Sequence, residues 1–147
     1  MWRGGLTPEL VAWLGATLAL IVGAALGAAL LANARWALRL TLLKGDDISS
    51  AELRGVYGGV CSAAHVVALF FAVTYVMSGV QIGGVFAAGA VAVLSAAWAG
   101  AAGGRVLAVL RGAAPQTRLN VRVVAAQGAL ALMLAAPWLA WGVSRPD

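Results

Sequence analysis

The sequence predicts an all-α integral membrane protein: an antiparallel four-helix bundle with both termini on the non-cytoplasmic side. Three observations carry that expectation. Only 10% of the 147 residues are charged and the mean hydropathy is +0.94, far too apolar for a soluble domain of this length. Four uncharged runs, 10–31, 55–77, 84–104 and 123–143, are each about 20 residues long, enough to cross roughly 30 Å of hydrocarbon as a helix. The basic residues also fall on alternate connections. Arg35, Arg39, Lys44 and Arg54 lie in the first, and Arg105, Arg111, Arg118 and Arg122 in the third, while only Arg3 and Arg145 flank the other ends. The positive-inside rule places both basic connections in the cytoplasm. No short segment alternates strictly as a membrane barrel strand would, and a backbone in lipid must satisfy its own hydrogen bonds.

One domain over 1–147 follows, with helices at about 9–43, 50–77, 83–111 and 119–143. The first run follows Arg3 and ends at Ala32-Asn33-Ala34, which imitates a signal-peptide cleavage site. Its apolar stretch is longer than an ordinary h-region, so a retained transmembrane helix is expected. Beyond it, Arg35 and Arg39 lie one turn apart, with Trp36, Leu40 and Leu43 on another face. That pattern predicts an interfacial, amphipathic extension ended by Gly45-Asp46-Asp47.

The second helix opens with SSAELRGVYGG, residues 49–59. Ser49 and Glu52 have capping-box spacing, and an acid in a first turn suits the helix dipole. Arg54 sits where its stem can snorkel to headgroups, and Tyr57 falls at the depth of an interfacial phenol. Gly55 and Gly59, Gly23 and Gly27, and Gly100 and Gly104 are each four apart. Such strips allow close helix approach, within one chain or between chains. In the fourth helix Pro137 is expected to loosen the last turns, and Trp138 and Trp141 read as an interfacial belt.

ELRGVYGG (52–59) with GRVLAVLRGAAP (104–115) resembles the DUF4345 family, small four-helix bacterial membrane proteins of no assigned activity. The likeness covers roughly residues 45–140. It implies the four-helix fold and the bacterial cytoplasmic membrane, and it implies no reaction. The family's acid, arginine and later Gly-Arg pair match Glu52, Arg54, Gly104 and Arg105. Gln127 stands where the family often has an acid, Arg111 where its loop often has one, and His65 where it tends to have a small residue.

Two places carry candidate chemistry. Glu52, Arg54, Tyr57, Arg105 and Gln127 converge, on this topology, at the cytoplasmic edge, with Glu52 and Arg105 able to pair. A headgroup or anionic-ligand site is the functional reading; capping and helix registry is the favoured structural one. His65 falls near mid-bilayer among small residues. It suggests an axial ligand to haem or a chlorophyll-type pigment. The favoured alternative is a neutral imidazole bonded to Ser95, Gln127 or a backbone carbonyl.

Other chemistries lack their residues. One His and the lone Cys61 cannot build a zinc or di-iron site. No acid lies at membrane depth to complete a Ser/His/Asp set, and no glycine loop has the phosphate-binding pattern. Proton-coupled export is disfavoured, because all five acids are terminal or interfacial. Positive charge without a motif does not indicate nucleic acid. The favoured function is therefore a non-catalytic accessory or packing subunit of a larger membrane assembly, in contact with lipids and other transmembrane helices. The alternatives are a binder of a lipid, quinone or pigment, and a minimal enzyme acting on a headgroup-bearing substrate.

Overall fold

A computed structural model describes residues 7–33, 50–114 and 116–143. Those residues contain no strand, and four helical spans, Pro8–Ala32, Leu53–Ser78, Gln81–Leu110 and Arg118–Trp141, are long and apolar enough to cross a membrane. We label the long α-helices α1 (Pro8–Ala32), α2 (Cys61–Ser78), α3 (Gln81–Leu110) and α4 (Arg118–Val143). A three-residue α turn, Ser50–Glu52, and a π-helical segment, Leu53–Val60, lead into α2. The interfacial extension expected over 34–43, and Ser49 of the expected capping box, lie outside the described residues.

Local chemistry sets the ends. The Thr7 hydroxyl accepts the Leu10 amide at 3.2 Å, and Pro8 occupies the first turn, where its missing N–H costs nothing. α2 stops at Gly79, whose φ of 66° is left-handed and whose N–H bonds the Tyr75 carbonyl at 2.8 Å. Two residues later α3 begins. α3 is capped by Arg111, and Gly112 follows in the left-handed region at φ 71° with its N–H on the Val109 carbonyl at 3.1 Å; the Thr117 hydroxyl accepts the Asn120 amide ahead of α4.

Each long helix packs on the next, and α4 returns to α1. The core is built largely of alanine: Ala12, Ala16, Ala19, Ala68, Ala72, Ala87 and Ala131 are buried, with Trp13, Leu20, Val91 and Leu134. The large apolar side chains point the other way. Val66, Val67, Phe70, Ile82, Val85, Val93 and Leu132 are all exposed. A water-soluble bundle would invert this arrangement. In lipid, outward leucine and phenylalanine cost nothing, and small inward residues let backbones approach for van der Waals contact.

The glycines show how close that approach is. A Cβ on Gly23 would overlap the His65 ring, and one on Gly27 would lie 2.5 Å from the Ser62 amide nitrogen. The helix-1 strip is therefore used within the chain, against α2. The entry to α2 differs from the expected Gly55–Gly59 strip. Gly55 meets nothing, while Gly58 lies against Leu31, with a Cβ there 2.7 Å from the Leu31 amide nitrogen. The cause is the π segment, whose wider turn brings residues five apart onto one face. Its buried positions, Leu53 and Gly58, have that spacing.

Candidate functional site

His65 is 2% exposed. Its Nδ1 lies 2.7 Å from the Cys61 carbonyl, which can only accept, so Nδ1 carries a hydrogen and donates. Its Nε2 then accepts from Trp98 Nε1–H at 3.0 Å. The ring stands edge-on to the Trp98 indole, with centroids 5.9 Å apart, and its other side lies on Gly23. The Cys61 thiol points to the Gly23 carbonyl, 3.9 Å away. One imidazole thus ties α2 to α3 and rests on α1. A backbone carbonyl was among the expected partners. Trp98 was not, and Ser95 instead donates to the Ala131 carbonyl at 2.8 Å, tying α3 to α4.

This geometry does not fit a haem or chlorophyll-type group. Both imidazole nitrogens are engaged, and the ring is enclosed on the α1 side by Gly23. Among the described residues no three His, Cys, Asp or Glu side chains are grouped to hold a metal.

The polar edge is dispersed. Glu52, Arg54 and Tyr57 are exposed, and Arg105 and Gln127 are half-buried. No ion pair joins Glu52 to Arg105. The π segment carrying Arg54 and Tyr57 packs mainly on α1 and on its own helix. Gln127 Oε1 is buried with no hydrogen-bond partner.

Two other features lie outside those candidates. On α3, Val93, Ala97, Gly100, Gly104 and Leu107 are all exposed, spaced alternately four and three apart. A Cβ on Gly100, Gly103 or Gly104 would meet nothing within 4 Å. The third glycine strip therefore faces outward, unlike the one on α1.

The second is a cleft of about 830 Å³, where the start of α1, the end of α2, the start of α3 and the end of α4 meet. Glu9, Trp13, Tyr75, Trp138 and Trp141 line it, and Gly84, Ala88 and Gly89 leave its α3 wall without bulk. Sequence reasoning took Trp138 and Trp141 as a lipid belt and counted Glu9 only among the terminal or interfacial acids. The available signal was positional, since the topology puts Trp13, Tyr75, Trp138 and Trp141 at one end of the spans. The chain matches no protein-family model, and no curated protein and no solved structure is similar to it.

Proposed function

We propose that this chain is a non-catalytic membrane subunit whose α3 packs against a transmembrane helix of another polypeptide. The observation that carries the reading is the outward seam Val93–Ala97–Gly100–Gly104–Leu107. Its four-three spacing is that of a coiled-coil face, and its two glycines and alanine leave a shallow groove for a second backbone. The chain already uses its other well-placed strip, at Gly23 and Gly27, to close α1 on α2. Lipid tails fit such a groove less well than a helix does, because van der Waals packing is the main attraction between helices in a bilayer.

The proposal includes an antiparallel arrangement with both termini on the non-cytoplasmic side of a bacterial cytoplasmic membrane. Contacts between opposite helix ends support the first part: Trp13 with Tyr75, Gly27 with Ser62, and Trp138 with Ala88. The eight-to-two distribution of basic residues supports the second. The resemblance to DUF4345 proteins over 52–59 and 104–115 supports the third and belongs to the same proposal.

A photoreactive benzoylphenylalanine at Ala97, in cells, tests the seam against the same probe at Val67 on α2. A protein adduct at 97, absent at 67 and abolished by Gly100→Ile with Gly104→Ile, is expected. The adduct mass separates a second copy from a different polypeptide. Lipid adducts alone at both positions would overturn the proposal.

A further inference from the structure

The cleft at the end of the bundle holds a carboxylate facing aromatic walls. Glu9 Oε1 accepts the Tyr75 hydroxyl at 3.2 Å. Among the described residues no basic side chain pairs with Glu9, and every described arginine belongs to the two basic connections or the helix ends beside them. Tyr75 packs edge-on to Trp13, with centroids 5.1 Å apart at 61°, so the acid and phenol are held by a buried indole. Across the cleft Trp138 and Trp141 stand nearly perpendicular, at 81° with centroids 6.1 Å apart. Trp138 is fixed by its Nε1–H, which donates to the Ala88 carbonyl at 3.0 Å. Gly84 shapes the space, since a Cβ there would lie 2.7 Å from the Tyr75 ring. Gly89 leaves it open, since a Cβ there would meet nothing. Pro137 also lines the cleft. It lacks an N–H to continue the α4 ladder, which loosens the helix just where Trp138 departs.

We propose that this cleft binds a methylated or alkyl ammonium cation, held by the Glu9 carboxylate and the faces of Trp138 and Trp141. Aromatic faces attract cations whose centre comes within about 6 Å of the ring, most strongly where water is excluded. A carboxylate supplies the full charge, and it acts more strongly at a low-dielectric boundary than in bulk water. The volume lies within the range of about 300–1,000 Å³ usual for small-molecule sites and accommodates an ammonium head with an attached chain. The same chemistry is presented by a phospholipid headgroup and by a free organic cation. The site occupies the opposite end of α3 from the glycine seam and is independent of it.

Choline and its neutral isostere 3,3-dimethylbutan-1-ol test the proposal by calorimetry on the full chain in a non-ionic maltoside micelle. Choline is expected to bind at least about tenfold more tightly than the isostere. Glu9→Gln should remove that preference while leaving isostere binding unchanged. Trp138→Leu should weaken choline about three- to thirtyfold. Gly89→Phe, which fills the cleft without touching a polar group, should abolish both. Helicity and micelle elution volume confirm folding, and either of the last two variants suffices if Glu9→Gln does not fold. Bilayer discs of phosphatidylcholine and of phosphatidylglycerol separate the sources. Weaker choline binding in the first identifies a lipid headgroup as the occupant, and equal binding in both identifies a free cation. No choline binding, equal affinity for choline and the alcohol, or wild-type behaviour of all three variants would overturn the assignment.

Discussion

Replacing Gly23 by alanine should loosen the bundle, although the same change at Gly15, eight residues earlier on α1, should not. At Gly15 a Cβ enters open space, so the substitution gains only helix propensity, up to about 1 kcal/mol. At Gly23 the new methyl overlaps Cδ2 and Nε2 of His65. The ring cannot step aside freely. Its Nδ1 is tied to the Cys61 carbonyl at 2.7 Å and its Nε2 to Trp98 at 3.0 Å. Either α1 moves away from α2, at about 1–3 kcal/mol for overpacking, or a hydrogen bond breaks, at about 0.6 and at most about 1.7 kcal/mol in membrane bundles. Subtracting the full propensity gain leaves a net loss of up to about 2 kcal/mol by the first route and up to about 0.7 kcal/mol by the second, at most roughly 30-fold or 3-fold in the unfolding equilibrium. Helicity followed through a dodecyl sulfate titration in mixed micelles measures it. The midpoint should fall for Gly23→Ala and hold or rise for Gly15→Ala. Adding His65→Ala to Gly23→Ala should recover part of the loss, because the methyl then has room. Equal midpoints for the two glycine variants, or strict additivity in the double variant, would refute the claim that the imidazole is packed on that glycine.

Three further changes probe the polar groups inside the bundle with the same titration. Trp98→Phe keeps an aromatic ring but removes the pyrrole part of the indole and leaves Nε2 of His65 without its donor, and should cost at least about 1 kcal/mol; an unchanged midpoint argues against the bond. Ser95→Ala removes a 2.8 Å bond to the Ala131 carbonyl that α4 does not need for its own ladder, and the expected loss is smaller, about 0.6 kcal/mol. Gln127→Leu should act in the opposite direction and raise stability by about 1 kcal/mol, since it deletes a buried oxygen with no partner. A Gln127→Leu protein weaker than the parent would mean that this oxygen is satisfied in the membrane.

The spans could be read from sequence because lipid imposes a one-dimensional code. A helix must be apolar for about 20 residues whatever it packs against, and the runs 10–31, 55–77, 84–104 and 123–143 follow it. The burial direction was not readable in the same way. Alternation of apolar and polar residues marks a buried face in water, but here both faces are apolar, and only the alanine and glycine positions hint at which one turns inward. That hint was correct at Gly23 and Gly27 and silent about Gly100 and Gly104, which carry the same spacing and face outward. At the entry to α2 the i, i+4 rule itself failed, because the chain is π-helical from Leu53 to Val60 and Gly58 makes the contact in place of Gly55. His65 stood out as the lone ionisable group at depth, but its partner Trp98 is 33 residues away, and an indole in a third helix carries no spacing signal.

The position of its polar groups separates structural from ligand-facing chemistry in this chain. His65, Cys61 and Ser95 lie deep between helices, and each has a partner within the bundle. Breaking those contacts to bind a ligand would leave an imidazole, hydroxyl or indole N–H without its partner in hydrocarbon, at a cost that a weak ligand contact does not offset. The Glu9 cleft makes no such demand. A cation entering there keeps the Tyr75 bond on Oε1 and the Ala88 bond on Trp138, and it adds contacts only to the second carboxylate oxygen and to ring faces. The outward seam on α3 is equally undemanding, because a docking helix displaces lipid and breaks no hydrogen bond. Substitutions at His65 should therefore change stability first, whereas those at Glu9 or Gly100 should change what the protein binds while leaving the bundle intact.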